Sequence, residues 1–143
     1  SYKDGKKDGL WTDYYENGQK RTVETYKDGK KDGLYTYWHE NVLMYEGTYK
    51  DGKEDGLWTQ WYVNGQKNWE GTYKDGQTID GLWTEWYENG QKNYEGTSKN
   101  GKREGLWTWW YENGQKMTVR NYKDEELIFQ NCWDKDGSET ECE

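Results

Sequence analysis

The sequence predicts an all-β chain, a single twisted antiparallel meander built from repeated β-hairpins and drawn out into an elongated ribbon or open trough. Three observations lead there. The tetrapeptide G-L-[WY]-T returns from Gly9, Gly33, Gly56, Gly81 and Gly105, at separations of 24, 23, 25 and 24 residues, a period typical of repeat architectures. Each unit carries two turn signals, Asn-Gly at Asn17-Gly18, Asn64-Gly65, Asn89-Gly90 and Asn113-Gly114, and Asx-Gly at Asp4-Gly5, Asp28-Gly29, Asp51-Gly52, Asp75-Gly76 and Asn100-Gly101. Such pairs accept the positive φ angles of a type I′ turn, so each marks a hairpin. Between turns lie about 7 to 9 residues, the length of one strand, and no 3.6-residue period competes.

Composition agrees with a sheet that packs on its own rings. There are 11 Trp, 14 Tyr and 1 Phe against 7 Leu, 4 Val and 2 Ile, with no Ala and no Pro. Thirteen aliphatic side chains cannot fill a two-layer interior for 143 residues. Disorder is excluded by the same aromatics. The formal charge, 20 minus 28 or −8, lacks the basic patch that nucleic acid or anionic lipid demands. No apolar run is long enough for membrane insertion. Ser1 falls inside a repeat with no initiator Met or signal segment before it, which is the expectation for a processed or trimmed fragment.

Register follows from the turns. A two-residue loop at Asn64-Gly65 puts Gly56 opposite Tyr73, Trp58 opposite Gly71, Gln60 opposite Trp69 and Tyr62 opposite Lys67. The same logic sets Trp83 opposite Gly96 and, with a three-residue loop at Glu40 to Val42, Tyr35 opposite Gly47. Each strand glycine then lies under a ring of its hairpin neighbour, the aromatic rescue that pins register. Trp107 meets Arg120 instead. The missing residue of the short spacing falls at Asn41-Val42 and the extra one at Gln77-Thr78-Ile79, where a loop absorbs it without turning later side chains over. One face carries Trp58, Tyr62, Trp69 and Tyr73; the other sets Leu57, Thr59, Trp61 and Val63 against Asn68, Glu70 and Thr72.

These residues resemble a known repeat. Tyr45-Glu46-Gly47-Thr48-Tyr49-Lys50-Asp51-Gly52-Lys53 is similar to the membrane occupation and recognition nexus (MORN) repeat, Y-x-G-x-[aromatic]-x-x-G-K, and the pattern recurs at Trp69 to Gln77, Tyr94 to Lys102 and Val23 to Lys30. With the added Y-x-N-G-Q-K hairpin, as at Tyr87 to Lys92, it is closer to the bacterial variant, often labelled a toxin-antitoxin repeat or antitoxin component. A Trp or Tyr stands where the usual repeat has the second glycine of G-x-G, as in Gly56-Leu57-Trp58. The resemblance covers about residues 1–123 and implies a β-hairpin ribbon used for protein interaction or scaffolding, without catalysis. Residues 124–143 are expected to form a capping hairpin.

In that last hairpin a three-residue loop at Asp136-Gly137-Ser138 brings Cys132 and Cys142 face to face, so a disulfide is expected, and with it an extracellular, periplasmic or cell-surface location. Asp134, Asp136 and Ser138 alternate like the start of a calcium loop but lack its twelfth-position acid and flanking helices. An ordinary turn, with no metal and no cofactor, is the reading. His39 occupies a place held elsewhere by Tyr15, Tyr62, Tyr87 and Tyr111, and no catalytic cluster accompanies it. The candidate ligand-binding residues are the column Trp38, Trp61, Trp86 and Trp110, led by Tyr14, with Glu70 and Glu95 between its members. Rings two strands apart stand roughly 9 to 10 Å from one another, a spacing on which a polysaccharide could stack. A protein partner engaging the face, or self-association through open edges, is nevertheless the leading reading, and surface carbohydrate binding the alternative. The edges differ in charge, with Lys3, Lys6 and Lys7 at one end and Glu139, Glu141 and Glu143 at the other.

Overall fold

The computed structural model describes residues 1–78 and 80–143; Ile79, part of the predicted site of the extra residue, lies outside them. The strands are β1 (Tyr2–Lys3), β2 (Lys6–Lys7), β3 (Gly9–Tyr14), β4 (Lys20–Lys27), β5 (Lys30–His39), β6 (Val42–Lys50), β7 (Lys53–Glu54), β8 (Gly56–Trp61), β9 (Lys67–Lys74), β10 (Gln77–Thr78), β11 (Gly81–Trp86), β12 (Lys92–Lys99), β13 (Lys102–Trp110), β14 (Lys116–Lys123), β15 (Glu126–Trp133) and β16 (Glu139–Thr140). β1 pairs with β2 alone, and the other fourteen form one antiparallel sheet in chain order, with β7 beside β6 and β10 beside β9. The sheet is not closed, and the described residues contain no helix. This is the predicted meander.

The two turn signals build different turns. At Asp4-Gly5, Asp28-Gly29, Asp51-Gly52, Asp75-Gly76 and Asn100-Gly101 both residues have positive φ, and the flanking residues pair directly, as Lys27 with Lys30. These are the expected two-residue I′ loops. Asp124-Glu125 makes the same turn without glycine, at φ 49° and 73°. The Asn-Gly sites differ from expectation. Only the glycine has positive φ there; the Tyr62 amide donates to the Gln66 carbonyl at 2.8 Å and the Gly65 amide to the Tyr62 carbonyl at 2.9 Å. The loop is therefore three residues, Val63 to Gly65, and Tyr62 faces Gln66 rather than Lys67. Its cause is the asparagine side chain, whose Oδ1 accepts the Gln66 amide at 3.0 Å and so holds Asn64 out of the left-handed region.

A bulge restores the register. Trp61 pairs with Lys67 and Gln60 with Trp69, so Asn68 is an extra residue that cancels the longer loop. Arg21, Asn93 and Met117 do the same in their hairpins. In the second unit the loop is not Glu40 to Val42 but the two residues Glu40 and Asn41, both at positive φ, and Met44 is the bulged residue. Gly56 opposite Tyr73, Trp58 opposite Gly71, Gln60 opposite Trp69, Trp83 opposite Gly96, Tyr35 opposite Gly47 and Trp107 opposite Arg120 all stand as expected.

The rings nevertheless cover different glycines from those they face. A Cβ on Gly71 would lie 2.1 Å from Cε3 of Trp83, one on Gly47 2.2 Å from Trp58, and one on Gly96 2.0 Å from Trp107. Each indole leans back over the preceding hairpin, where Trp58 and Trp107 donate Nε1 hydrogen bonds to the Thr48 and Thr97 carbonyls at 3.1 and 3.0 Å. This explains the two units that lack the glycine. The strand after Glu24 brings Tyr35 in place of Trp, and the strand after Arg120 brings Gln130, which accepts from Arg120 Nε at 3.1 Å. Where no indole arrives, no glycine is needed. Trp58, 6% exposed, Trp107 and Tyr122 are the most buried apolar residues, and Trp69 stacks on Trp83 at 5.0 Å with 12° between planes.

At the C-terminal end the Asp134 amide donates to the Ser138 carbonyl, so the loop is Lys135 to Gly137 and Cys132 pairs with Thr140, not directly with Cys142. Asp134, the first acid of the calcium-like run, spends Oδ1 on the amides of Asp136 and Ser138. The disulfide forms all the same, with Cα atoms 5.4 Å apart, because the chain leaves the strand after Thr140. β16 pairs with Cys132 and Trp133 only.

Candidate functional site

Trp38, Trp61, Trp86 and Trp110 sit near the ends of β5, β8, β11 and β13, all half-buried, and Tyr14 at the end of β3 is 53% exposed. Hydrogen bonds fix their order. Tyr15 Oη donates to the Trp38 carbonyl at 3.0 Å, Tyr62 to Trp86 at 2.9 Å, Tyr87 to Trp110 at 2.8 Å and Tyr111 to Trp133 at 3.0 Å. Trp133 is thereby a further member that the sequence reading missed. Its signal was present, since Gly137 follows it by four residues as Gly114 follows Trp110. His39 is exposed and makes no such bond among the described residues.

The two carboxylates of the candidate site are engaged internally. Lys67 Nζ lies 2.6 Å from Glu70 Oε2, which also accepts from the buried Thr59 hydroxyl at 3.0 Å; Lys92, Glu95 and Thr84 repeat the set at 2.6 and 3.2 Å. The same ammonium groups lie 5.5 Å from the Trp86 ring and 5.6 Å from the Trp110 ring, within cation–π range. In the second unit Leu43 takes the lysine place, and there Glu46 is exposed and Thr36 Oγ1 is buried without a partner. The column is thus tied down by its own neighbours, and its ring faces are partly covered.

Other repeated polar residues serve the joints between units. Asn64 and Asn89 donate Nδ2 to the Glu88 and Glu112 carbonyls at 2.7 Å, and Asn113 to that of Lys135 at 2.8 Å. What the joints leave over is one leucine per unit. Leu10, Leu34, Leu57, Leu82 and Leu106 are 47 to 63% exposed and face Thr25, Thr48, Thr72, Thr97 and Asn121 in equivalent registers. They form a row across the sheet that the sequence reading also missed, although the leucine of G-L-[WY]-T was its plain signal.

The electrostatics are those of a packed ring ladder. Burial pushes the phenols of Tyr26, Tyr49 and Tyr94 up to about 12, helped by Glu24 beside Tyr26, Glu54 beside Tyr49 and Glu85 beside Tyr94. Burial also pushes the Glu24 carboxyl up, but hydrogen bonds from Lys31 and Tyr26 outweigh it and the group ends below its ordinary value. An unfolded phenol ionises near 10. Stability lent by the neutral rings is therefore whole below pH 10 and is lost as pH climbs towards 12. The ring resonances of Tyr26, Tyr49 and Tyr94 and the far-ultraviolet circular dichroism should change together in that window; those three phenols titrating near 10 with the sheet intact would contradict it.

Among the described residues no cluster of three or more His, Cys, Asp or Glu is placed to hold a metal ion, and no helix is long and apolar enough to cross a membrane. A family model described as MORN repeat variant matches residues 7–28, 31–51, 79–100 and 103–124. Between the second and third matches β8 and β9 keep the same register as the matched hairpins. No curated protein matches the chain.

Proposed function

The chain belongs to the family of MORN repeat variants, and from that premise we propose a non-catalytic interaction module whose leucine row is offered to a protein partner. Its family is one of interaction repeats. The observation that carries the reading is the contrast between side chains. Tyr62, Asn64, Lys67 and Glu70, and their counterparts Tyr87, Asn89, Lys92 and Glu95, are engaged in contacts within and between units, whereas Leu10, Leu34, Leu57, Leu82 and Leu106 stay open to solvent in register. An ordered apolar row exposed across a sheet face is the mark of an interface. Polysaccharide binding along Trp38, Trp61, Trp86 and Trp110 is the weaker reading, because Lys67 and Lys92 already lie over Trp86 and Trp110. The Cys132–Cys142 bond supports an oxidising compartment, outside the cytoplasm, and residues 124–143 act as the cap that a terminal repeat needs.

The test is co-sedimentation of the purified protein with the envelope fraction of its source, untreated and protease-treated. Binding is expected to vanish on proteolysis and in a Leu34→Asp/Leu57→Asp variant whose circular dichroism is unchanged. Binding that survives proteolysis, is competed by soluble glycan and fails in Trp61→Ala/Trp86→Ala would replace this reading with carbohydrate recognition. Pelleting of the protein with no envelope present would make a second copy the partner.

A further inference from the structure

Among the described residues, one place in the ring ladder holds no ring. The glycine that begins each G-L-[WY]-T strand faces a tyrosine in four units, Gly9 with Tyr26, Gly33 with Tyr49, Gly56 with Tyr73 and Gly105 with Tyr122. In the fourth unit Gly81 faces Ser98. Tyr73 shows what the ring does at this position. Its centroid is 6.3 Å from that of Trp58 in its own hairpin and 6.4 Å from that of Trp83 in the next, edge to face with both. Tyr49 stands likewise against Tyr35 and Trp58 at 5.6 and 5.1 Å. Ser98 omits that wedge between Trp83 and Trp107. A cavity of about 250 Å³ opens there, lined by both indoles, Tyr94, and the hydroxyl residues Ser98 and Thr78 among others.

We propose that this vacancy is a binding site for a phenol-sized aromatic ring, supplied by the tyrosine side chain of a partner. The chemistry is set by the neighbouring units, where the chain fills the same niche with its own tyrosines. Two indoles and Tyr94 provide the edges and faces that aromatic rings prefer, and a cavity with apolar walls and a few hydroxyls is the usual form of a small ligand site. A single ring makes a weak ligand, so the dissociation constant is expected on the order of millimolar. The site does not depend on the leucine row being an interface.

Titration with p-cresol, followed through the indole N–H resonances of Trp83 and Trp107, tests it. Both signals should shift and saturate in the native protein. Ser98→Tyr, which supplies the missing ring, should abolish the shifts and raise the melting temperature. Tyr73→Ser should create a second site, reported by Trp58 and Trp83, and keeps the test sharp if Ser98→Tyr folds poorly. A blocked Gly-Tyr-Gly peptide identifies the source of the ring: shifts at the same two indoles support a polypeptide, whereas shifts with p-cresol alone assign the site to a free phenol. Indole signals that stay fixed at tens of millimolar p-cresol (roughly ten times the expected constant), or shifts that persist unchanged in Ser98→Tyr, would overturn the proposal.

Discussion

Replacing Gly71 with alanine is expected to destabilise the sheet by about 3 kcal/mol, the upper end of what overpacking costs. The added Cβ would lie 2.1 Å from Cε3 and 2.4 Å from Cζ3 of Trp83, and that indole cannot step aside. It is stacked on Trp69 at 5.0 Å and meets Tyr73 edge-on. A double-mutant cycle separates the two geometries that the sequence allows. If the ring over Gly71 is that of Trp83, Gly71→Ala and Trp83→Ala together should cost about 2 kcal/mol less than the sum of the single changes, since the alanine methyl no longer meets a ring. Gly71→Ala with Trp58→Ala should simply add, although Trp58 is the residue directly opposite. Chemical unfolding of the four proteins reads both cycles. Coupling to Trp58 and none to Trp83 would return the ring to the facing strand.

Opening the disulfide should cost about 2 to 3 kcal/mol, the chain entropy of a loop this short, and the loss should stay at one end. Cys132 and Cys142 are 10 residues apart, and β16 is otherwise held through its pairs with Cys132 and Trp133. A repeat sheet is stabilised by nearest neighbours, so Cys132→Ser/Cys142→Ser should release β16 and raise amide exchange in β15 while β3 to β9 keep their protection. The consequence for β15 matters because Leu127, Ile128 and Phe129 are already about half exposed and an uncovered apolar edge strand invites pairing with other chains. Hydrogen exchange resolved by segment checks the claim. Protection lost evenly from β3 onwards would mean that the sheet unfolds as one unit.

Much of this architecture is written locally. The Asx-Gly turns could be read because both central residues need positive φ, and Gly with Asp or Asn tolerates it. Strand length, alternation and period then set the antiparallel order, and the facing pairs from Tyr35 with Gly47 to Trp83 with Gly96 came out correctly even though the Asn-Gly loops are one residue longer than expected and the Glu40-Asn41 loop one residue shorter. Two errors cancelled there. The longer loop and the bulge at Asn68 are a matched pair, and only the residues between them, such as Tyr62, were misplaced. The cysteines show the same tolerance, since a loop shifted by one residue still left them close enough to bond.

The candidate site was less legible. Trp38, Trp61, Trp86 and Trp110 could be placed in one column from the period alone, but not the lysines that lie over two of them, the carboxylate of Glu70 or Glu95 turned inward to a threonine, or the exposed leucines beside them. By itself the sequence determined the repeat, its turns, its face alternation and the disulfide partners, because each depends on backbone preferences within a few residues or on a count along the chain. The tertiary structure alone decided which glycine each indole covers, which polar groups the joints between units consume, and that Ser98 leaves a ring's place empty. Those outcomes depend on side chains from different hairpins, half a repeat to a full repeat apart along the chain, and the lean of a ring is settled by the space its neighbours leave.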